Sequence, residues 1–393
     1  MKKQLFFIST LIFLSSAIWA ATPLATVNIL VLTDFHFDPF AACKGTVPTP
    51  CAVISKLKAA RTEDWSKILT ANDILPAEYR SDTNYQLLIS TLREAKAAAA
   101  KEDVQFALIL GDFISHDFRR QYKRYSKDAS RAGFESFVSK TLKFLTQEVE
   151  KTFPQLDVYM VVGNNDSFHR DYYSNPNGLF FQQMASEWSS LIKNPENRTA
   201  MRTQFPTAGY YAVDLPQFAK VRLLVLNSVL LSNKAQGKNI EKAAQAEMNW
   251  LHQQLENAKQ SHKHVLIAMH IPEGIDIYSS MRIRLLRVLE LWMPSYSQQF
   301  QDDLKMFAPQ IAGLFAGHLH TNWLHVLRFD NLVEIPFMGT AAVSPVYGND
   351  PGFRIYKFNA EDFKLNDFLT YRYPLRSTMT WQVSTKKVSQ MRV

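Results

Sequence analysis

The chain has 393 residues, 47% of them hydrophobic and 20% charged, with a formal net charge of +8. That balance allows a large buried core in one or two domains and excludes a fibrous or broadly disordered polymer. A moderate positive charge suits an anionic substrate or surface, but it is equally ordinary in a basic exported protein.

Residues 1–20 read as an export signal: Lys2 and Lys3, an apolar run from Leu5 to Trp19, then small Ala20 and Ala21. Ser9, Thr10, Ser15 and Ser16 interrupt the run, which is short for a membrane span. The expectation is a mature chain, residues 21–393, secreted or periplasmic, forming one domain without stable membrane insertion. Its first apolar run, TVNILVLTD (Thr26–Asp34), ends on a polar turn. The two cysteines, Cys43 and Cys51, flank Pro48 and Pro50, and export makes a disulfide between them plausible, with two free thiols as the alternative.

The spacing of NYQLLISTLREAKAAAAKED (Asn84–Asp103) predicts a helix. VQFALILGD (Val104–Asp112) is the second strand candidate. From Asp117 to Gln147, Arg119, Arg120, Lys123, Arg124 and Lys127 stand among tyrosines and phenylalanines. Such interleaving can bind nucleic acid, but a solvated helix face explains it better, and no nucleic-acid polymer is expected as a partner. Further strand candidates are LDVYMVVGNND (Leu156–Asp166), KVRLLVLNS (Lys220–Ser228), HVLIAMH (His264–His270) and GLFAGHLH (Gly313–His320). A second helix is expected over EKAAQAEMNWLHQQLENAKQ, and GFRIYKF with LNDFLTYRY reads as a terminal antiparallel hairpin. Alternating strands and helices define an α/β fold.

The strand candidates end on metal-ligating side chains: Asp34-Phe35-His36, Gly111-Asp112, Gly163-Asn164-Asn165-Asp166, His270 and Gly317-His318-Leu319-His320. Strand ends are where α/β sheets place ligand sites. Taken singly, each has an ordinary structural explanation as a cap, turn or packed histidine. Together they describe a two-metal centre. On an extended chain Asp34 and His36 point the same way, Asp112 has two oxygens to bridge a pair of cations, and Asn164 offers a neutral amide oxygen.

On these motifs the sequence resembles the calcineurin-like metallophosphoesterases, and within them the acid sphingomyelinase-like phosphodiesterases. The resemblance also covers His116-Asp117, HIPEG (His270–Gly274) and SPVYGNDPGFRIY (Ser344–Tyr356), and runs from about Val27 to Tyr373. It implies a four-layer α-β-β-α sandwich with two mixed sheets. It also implies a pair of divalent ions, zinc by preference, with manganese or iron able to fill the same set. Carried over by position, one ion takes Asp34, His36 and His320, the other Asn164, His270 and His318, with Asp112 bridging.

One departure stands out: Asn165 occupies the place of a family histidine that helps the leaving group depart. An amide donates hydrogen bonds but transfers no proton, so the acid role falls to His116, with His169 as a weaker substitute. Tyr347 and Asn349 are candidates for the substrate pocket, or for a turn packed beside the metals. The family reaction is attack on phosphorus by a metal-bridging hydroxide. The leading expectation is therefore a hydrolase cleaving phosphodiester or phosphoanhydride bonds of a small soluble substrate, of the nucleotide or CDP-alcohol type. The N-terminus leaves no room for a saposin-like lipid-extracting domain, which disfavours sphingomyelin. Lipid-headgroup phosphodiesterase, phosphomonoesterase, and a catalytically impaired metal- or phosphate-binding protein are the alternatives.

Overall fold

The computed structural model describes residues 26–387 apart from 46–49, 73–74, 216–217, 219, 283–285, 330–332 and 378. The proposed export signal and Pro48 lie outside the described residues. Among the described residues fourteen strands follow in chain order: β1 (Thr26–Leu32), β2 (Phe106–Ile109), β3 (Asp157–Met160), β4 (Tyr173–Ser174), β5 (Tyr211–Asp214), β6 (Val221–Val225), β7 (Gln236–Gly237), β8 (His264–Ala268), β9 (Ile311–Ala316), β10 (Trp323–Arg328), β11 (Glu334–Gly339), β12 (Gly352–Asn359), β13 (Leu365–Arg372) and β14 (Gln382–Lys387). They form two six-stranded sheets, in the orders β14-β13-β12-β1-β2-β3 and β10-β11-β9-β8-β6-β5, and a small β4-β7 pair.

Both large sheets are mixed. In the first, β1, β2 and β3 are parallel and β12, β13 and β14 antiparallel; in the second, β6, β8, β9 and β11 are parallel, with β5 and β10 antiparallel at the edges. All six strand candidates that fall among the described residues form strands. The expected terminal hairpin is present as β12–β13 and continues into a third antiparallel strand, β14.

Side-chain alternation along the second sheet sorts it between two cores, as strand geometry requires. Leu223, Val225, Leu266, Ala268 and Phe315 face the first sheet, joining Ile29, Val31 and Phe358 in one core; Phe315 meets Tyr356 with ring centroids 5.4 Å apart. The intervening Leu224, Val265, Ile267 and Leu314 pack instead with Met248, Leu251 and Phe300 of the helices Ile240–Gln260 and Pro294–Met306. The helices Tyr85–Lys101 and Arg131–Thr152 cover the outer face of the first sheet. Asn84 and Ser130 start them by accepting from the amides of Leu87 and Gly133, each at 3.1 Å. The basic region is thus helical, with Phe118–Ser126 preceding Arg131–Thr152.

Cys43 and Cys51 are disulfide-bonded, with Cα atoms 5.8 Å apart, which removes the free-thiol alternative. Among the described residues no helix is long and apolar enough to cross a membrane.

Behind the strand ends, fully buried Glu247 braces the second sheet. Its Oε1 accepts the Asn227 amide at 2.6 Å just past β6, and the neighbouring Ser228 hydroxyl accepts the Ile271 amide at 2.8 Å just past β8. Burial pushes the Glu247 carboxyl up to about 8, against about 4.3 in an unfolded chain. Between those values the folded state binds the proton and the unfolded state does not, so stability falls as pH rises through this window. Glu247→Gln should therefore gain on the order of 2 kcal/mol or more, relative to wild type, on going from pH 5 to pH 8. Urea midpoints at the two pH values check this; parallel shifts in both proteins would refute it.

Candidate metal centre

β1, β2 and β3 each run out into a polar turn on the same edge of the first sheet, and the turns interlock. The amides of Asp34 and His36 donate to the carbonyls of Gly111 and Asp112 at 2.9 and 2.8 Å. The second and third turns touch through two glycines. A Cβ on Gly163 would lie 2.0 Å from the Asp112 amide nitrogen, and one on Gly111 2.5 Å from the Gly163 nitrogen. Asp166 locks the same junction, accepting from the amides of Gly163 and Asp112 at 2.9 Å and of Phe113 at 2.8 Å.

The second sheet delivers His270 beyond β8 and His318 and His320 beyond β9, and hydrogen bonds tie the two edges together. His270 Nδ1 donates to the Leu110 carbonyl at 2.7 Å, which leaves its Nε2 as the metal-facing atom. The His318 amide donates to Asp34 Oδ2 at 3.0 Å, and so does Thr33 Oγ1 at 2.7 Å. Gly317 permits that approach, since a Cβ there would stand 2.1 Å from Thr33 Oγ1. Five of the expected ligands, Asp34, His36, Asp112, His318 and His320, have φ between 40° and 67°, a region non-glycine residues enter only when their surroundings hold them there.

These turns collect the expected ligands at one place. Ligand atoms of Asp34, His36 and Asp112 lie within 4.8 Å of one another, as do those of Asp112, His270 and His318. Asp112 Oδ2 is 3.4 Å from His36 Nε2 and 3.3 Å from His270 Nε2, so the carboxylate sits between the two groups. Asn164 Oδ1 is 3.0 Å from His270 Nε2, while its Nδ2 donates to Asp171 at 2.6 Å, an arrangement that turns the amide oxygen inwards. His320 Nε2 lies 3.3 Å from Asp34 Oδ1. A third trio, His36, His116 and His320, also falls within 4.8 Å, which brings His116 closer to the ligands than its sequence position indicates.

Electrostatics follow from that crowding. Burial would raise the carboxyls of Asp34 and Asp112, but facing histidines hold both well below the usual range. Burial would lower His270, yet the Asp112 carboxylate pushes it up to about 9. His318 is pushed down to about 3 by burial and by His270.

His116 stacks on His36 with centroids 4.0 Å apart. Its amide and its Nδ1 both meet Asp82, at 3.0 and 2.9 Å, and Nε2 lies 3.3 Å from the Tyr347 hydroxyl. Burial works against the imidazolium, but Asp82 outweighs it and raises His116 to about 8. Asn165 is directed at the bridging position: its amide nitrogen donates to Asp112 Oδ1 at 2.7 Å and its Nδ2 to Oδ2 at 2.9 Å. The Tyr347 ring stands 4.7 Å from His320. Asn349 folds into its own turn, donating to the Ser344 carbonyl at 3.0 Å. His169 packs on Tyr173, centroids 4.0 Å apart, away from the ligand trios.

The calcineurin-like phosphoesterase profile matches residues 27–322. The chain belongs to the calcineurin-like phosphoesterases. It is 25% identical over 350 residues to the cyclic GMP-AMP phosphodiesterase SMPDL3A of Bos taurus, covering 86% of this chain and 69% of the relative. To the acid sphingomyelinase-like phosphodiesterase 3b of Mus musculus it is 24% identical over 360 residues, covering 88% and 70%. To the sphingomyelinase phosphodiesterase D of Dictyostelium discoideum it is 25% identical over 317 residues, covering 79% and 64%. The fold is shared with a dimetal phosphatase from Danio rerio, at a TM-score of 0.51 and 12% identity, over 92% of this chain and 98% of that one. The phosphoesterase is metal-dependent, and its His and Asp clusters suit a two-metal site.

The residues present fit such a pair. Asp34 Oδ1 and His320 Nδ1 are buried without a hydrogen-bond partner, a state that burial normally penalises. The mixed nitrogen and oxygen donors suit zinc, manganese or iron. Because Gly163 gives Asp112 its place, Gly163→Ala should cut bound metal per chain by roughly half or more while the far-UV circular dichroism persists. Elemental analysis after dialysis reads this; full metal content in the variant would show that the close approach is dispensable.

Proposed function

We propose that this phosphoesterase is an exported hydrolase of phosphodiester or phosphoanhydride bonds in a small soluble substrate of the nucleotide or CDP-alcohol type. The observation that carries the reading is the Asp112 carboxylate lying between two groups of ligand side chains, with His116 beside them. In this reading Asp34, His36 and His320 hold one cation and Asn164, His270 and His318 the other, zinc being the first choice. Bound there, two cations polarise the phosphate oxygens and lower the pKa of a water for attack on phosphorus. Two phosphodiesterase relatives and the Cys43–Cys51 disulfide are consistent with diester cleavage and with export respectively.

The protein's own groups divide the remaining work. Asp82 fixes the His116 ring through Nδ1, so Nε2, in the cationic form, is the atom that gives a proton to the departing oxygen. Tyr347, whose hydroxyl meets that Nε2, steadies the ring and walls the substrate side. Asn165 holds Asp112 by two hydrogen bonds and supplies no proton. Phosphomonoesterase, lipid-headgroup phosphodiesterase and a binding protein without turnover are the readings to separate from this one.

Metal-loaded protein should hydrolyse bis(4-nitrophenyl) phosphate in preference to the mono-ester and lose that activity on chelation. Metal binding without turnover would favour the binding protein, and preference for the mono-ester a phosphatase. On a substrate with an alkoxide leaving group, His116→Ala should lower kcat by about 10²–10⁴-fold, far more than His169→Ala at equal metal content. A nitrophenolate leaving group should suffer least. Equal effects of the two substitutions would remove His116 from the acid role.

A further inference from the structure

A second group of metal-binding side chains stands at the opposite ends of β8 and β9 from the metal centre. His262 precedes β8 and Gln310 precedes β9, whereas His270, His318 and His320 follow the same strands. A cavity of about 600 Å³ opens there, and His252, Glu256, His262 and Gln310 line it. His252 and Glu256 are one turn apart on the helix Ile240–Gln260, so their side chains leave from one face. Past the end of that helix the backbone turns through a left-handed conformation at His262 (φ 53°), whose side chain joins the same cavity.

Two features set this group apart from an ordinary solvated surface. His252 is held in place: its Nδ1 donates to Asp303 Oδ1 at 2.7 Å, and its ring stands edge-on to Phe307 with centroids 5.4 Å apart. Asp303 is only 4% exposed, and a buried carboxylate behind a histidine fixes the tautomer that leaves Nε2 as the ligand atom. The second feature is Gln310 Oε1, buried without a hydrogen-bond partner, which is costly for an acceptor unless a donor or cation meets it. Lys259 also lines the cavity, with its ammonium over the Phe307 ring, 5.8 Å from the centroid.

We propose that this cavity is a separate site for one divalent transition-metal ion, taken up by His252 Nε2, the His262 ring, the Glu256 carboxylate and the Gln310 amide oxygen. Two imidazoles with oxygen donors favour zinc, nickel or copper over magnesium and calcium. Among the described residues, the trios whose ligand atoms already lie within 4.8 Å all belong to the metal centre. Here Glu256 and His262 are exposed, so a change of rotamer closes them on an ion that the fixed His252 has captured, and the site is the weaker of the two. The bound ion ties the end of the helix Ile240–Gln260 to the short turn Ala308–Gln310. It thereby braces the starts of the two strands that deliver His270, His318 and His320, and it is independent of the reaction at the metal centre.

The test uses the full chain dialysed against micromolar zinc. Elemental analysis should give one more zinc per chain in wild type than in His252→Ala or in Glu256→Gln/His262→Ala, each with wild-type far-UV circular dichroism. The difference of one carries the result, so partial loading of the metal centre does not blur it; equal metal contents overturn the proposal. Calorimetric titration with zinc should show a weaker transition after the metal centre has filled. Asp303→Asn should weaken that transition about tenfold, and Lys259→Gln, which removes a competing cation, should strengthen it. A transition indifferent to Asp303→Asn marks adventitious binding to surface histidines only, and displacement of the zinc by equimolar magnesium or calcium refutes the ligand set; either result overturns the proposal.

Discussion

The Asp112 carboxylate is the contact on which the rest of the site depends. Two oxygens receive two hydrogen bonds from Asn165 and face His36 and His270, one from each large sheet. Such a group is buried at a high desolvation cost unless positive charge answers it. Histidines answer it in part, and a pair of dications would do so more fully, in exchange for the protons on the ligand histidines. The strand ends of both sheets are thus drawn to one anion that is costly alone and favourable only as the centre of a cationic cluster.

That demand explains the backbone around it. Five of the expected ligands, held at positive φ, cost of order 1–3 kcal/mol each when unsupported. Support comes from hydrogen bonds between turns and sheets: Asp166 across Gly163, Asp112 and Phe113, His270 to Leu110, and the His318 amide to Asp34. The amides of Val343 and Ser344 add two more, to the carbonyls of Thr33 and Asp34 at 3.1 Å each. None of these is a strand–strand bond within a sheet. The sheets supply rigidity, and this second set of bonds converts it into ligand position, as preorganised sites require.

The six buried strands, and the seven side chains their ends bring together, are legible in the sequence because they are local: an apolar run followed at once by Asp, Asn or His. What escapes such a reading is carried by partners far along the chain. Asp82 orients His116 across 34 residues, and Asp171 turns the Asn164 amide from a loop seven residues on. Glu247 braces β6 from the middle of a helix that otherwise looks amphipathic in the usual way. Only Asp166 had a visible signal, as the last residue of the GNND turn, but nothing local says that it binds three amides rather than a metal. The edge strands β5 and β10 are hidden for another reason: they are short or half-exposed, without the continuous apolar run that marks β1, β8 or β9.

Asn165 is where these arguments meet. Read as a lost histidine, it signals a weakened catalyst; read from its contacts, it is a clamp on the bridging carboxylate, using both its donors within 2.9 Å. A histidine there that used Nδ1 to hold Asp112 would leave only Nε2 for other work, whereas the amide has no second ring nitrogen and titrates at neither donor. Beside that clamp stands His116, a titratable ring fixed by Asp82 at 2.9 Å.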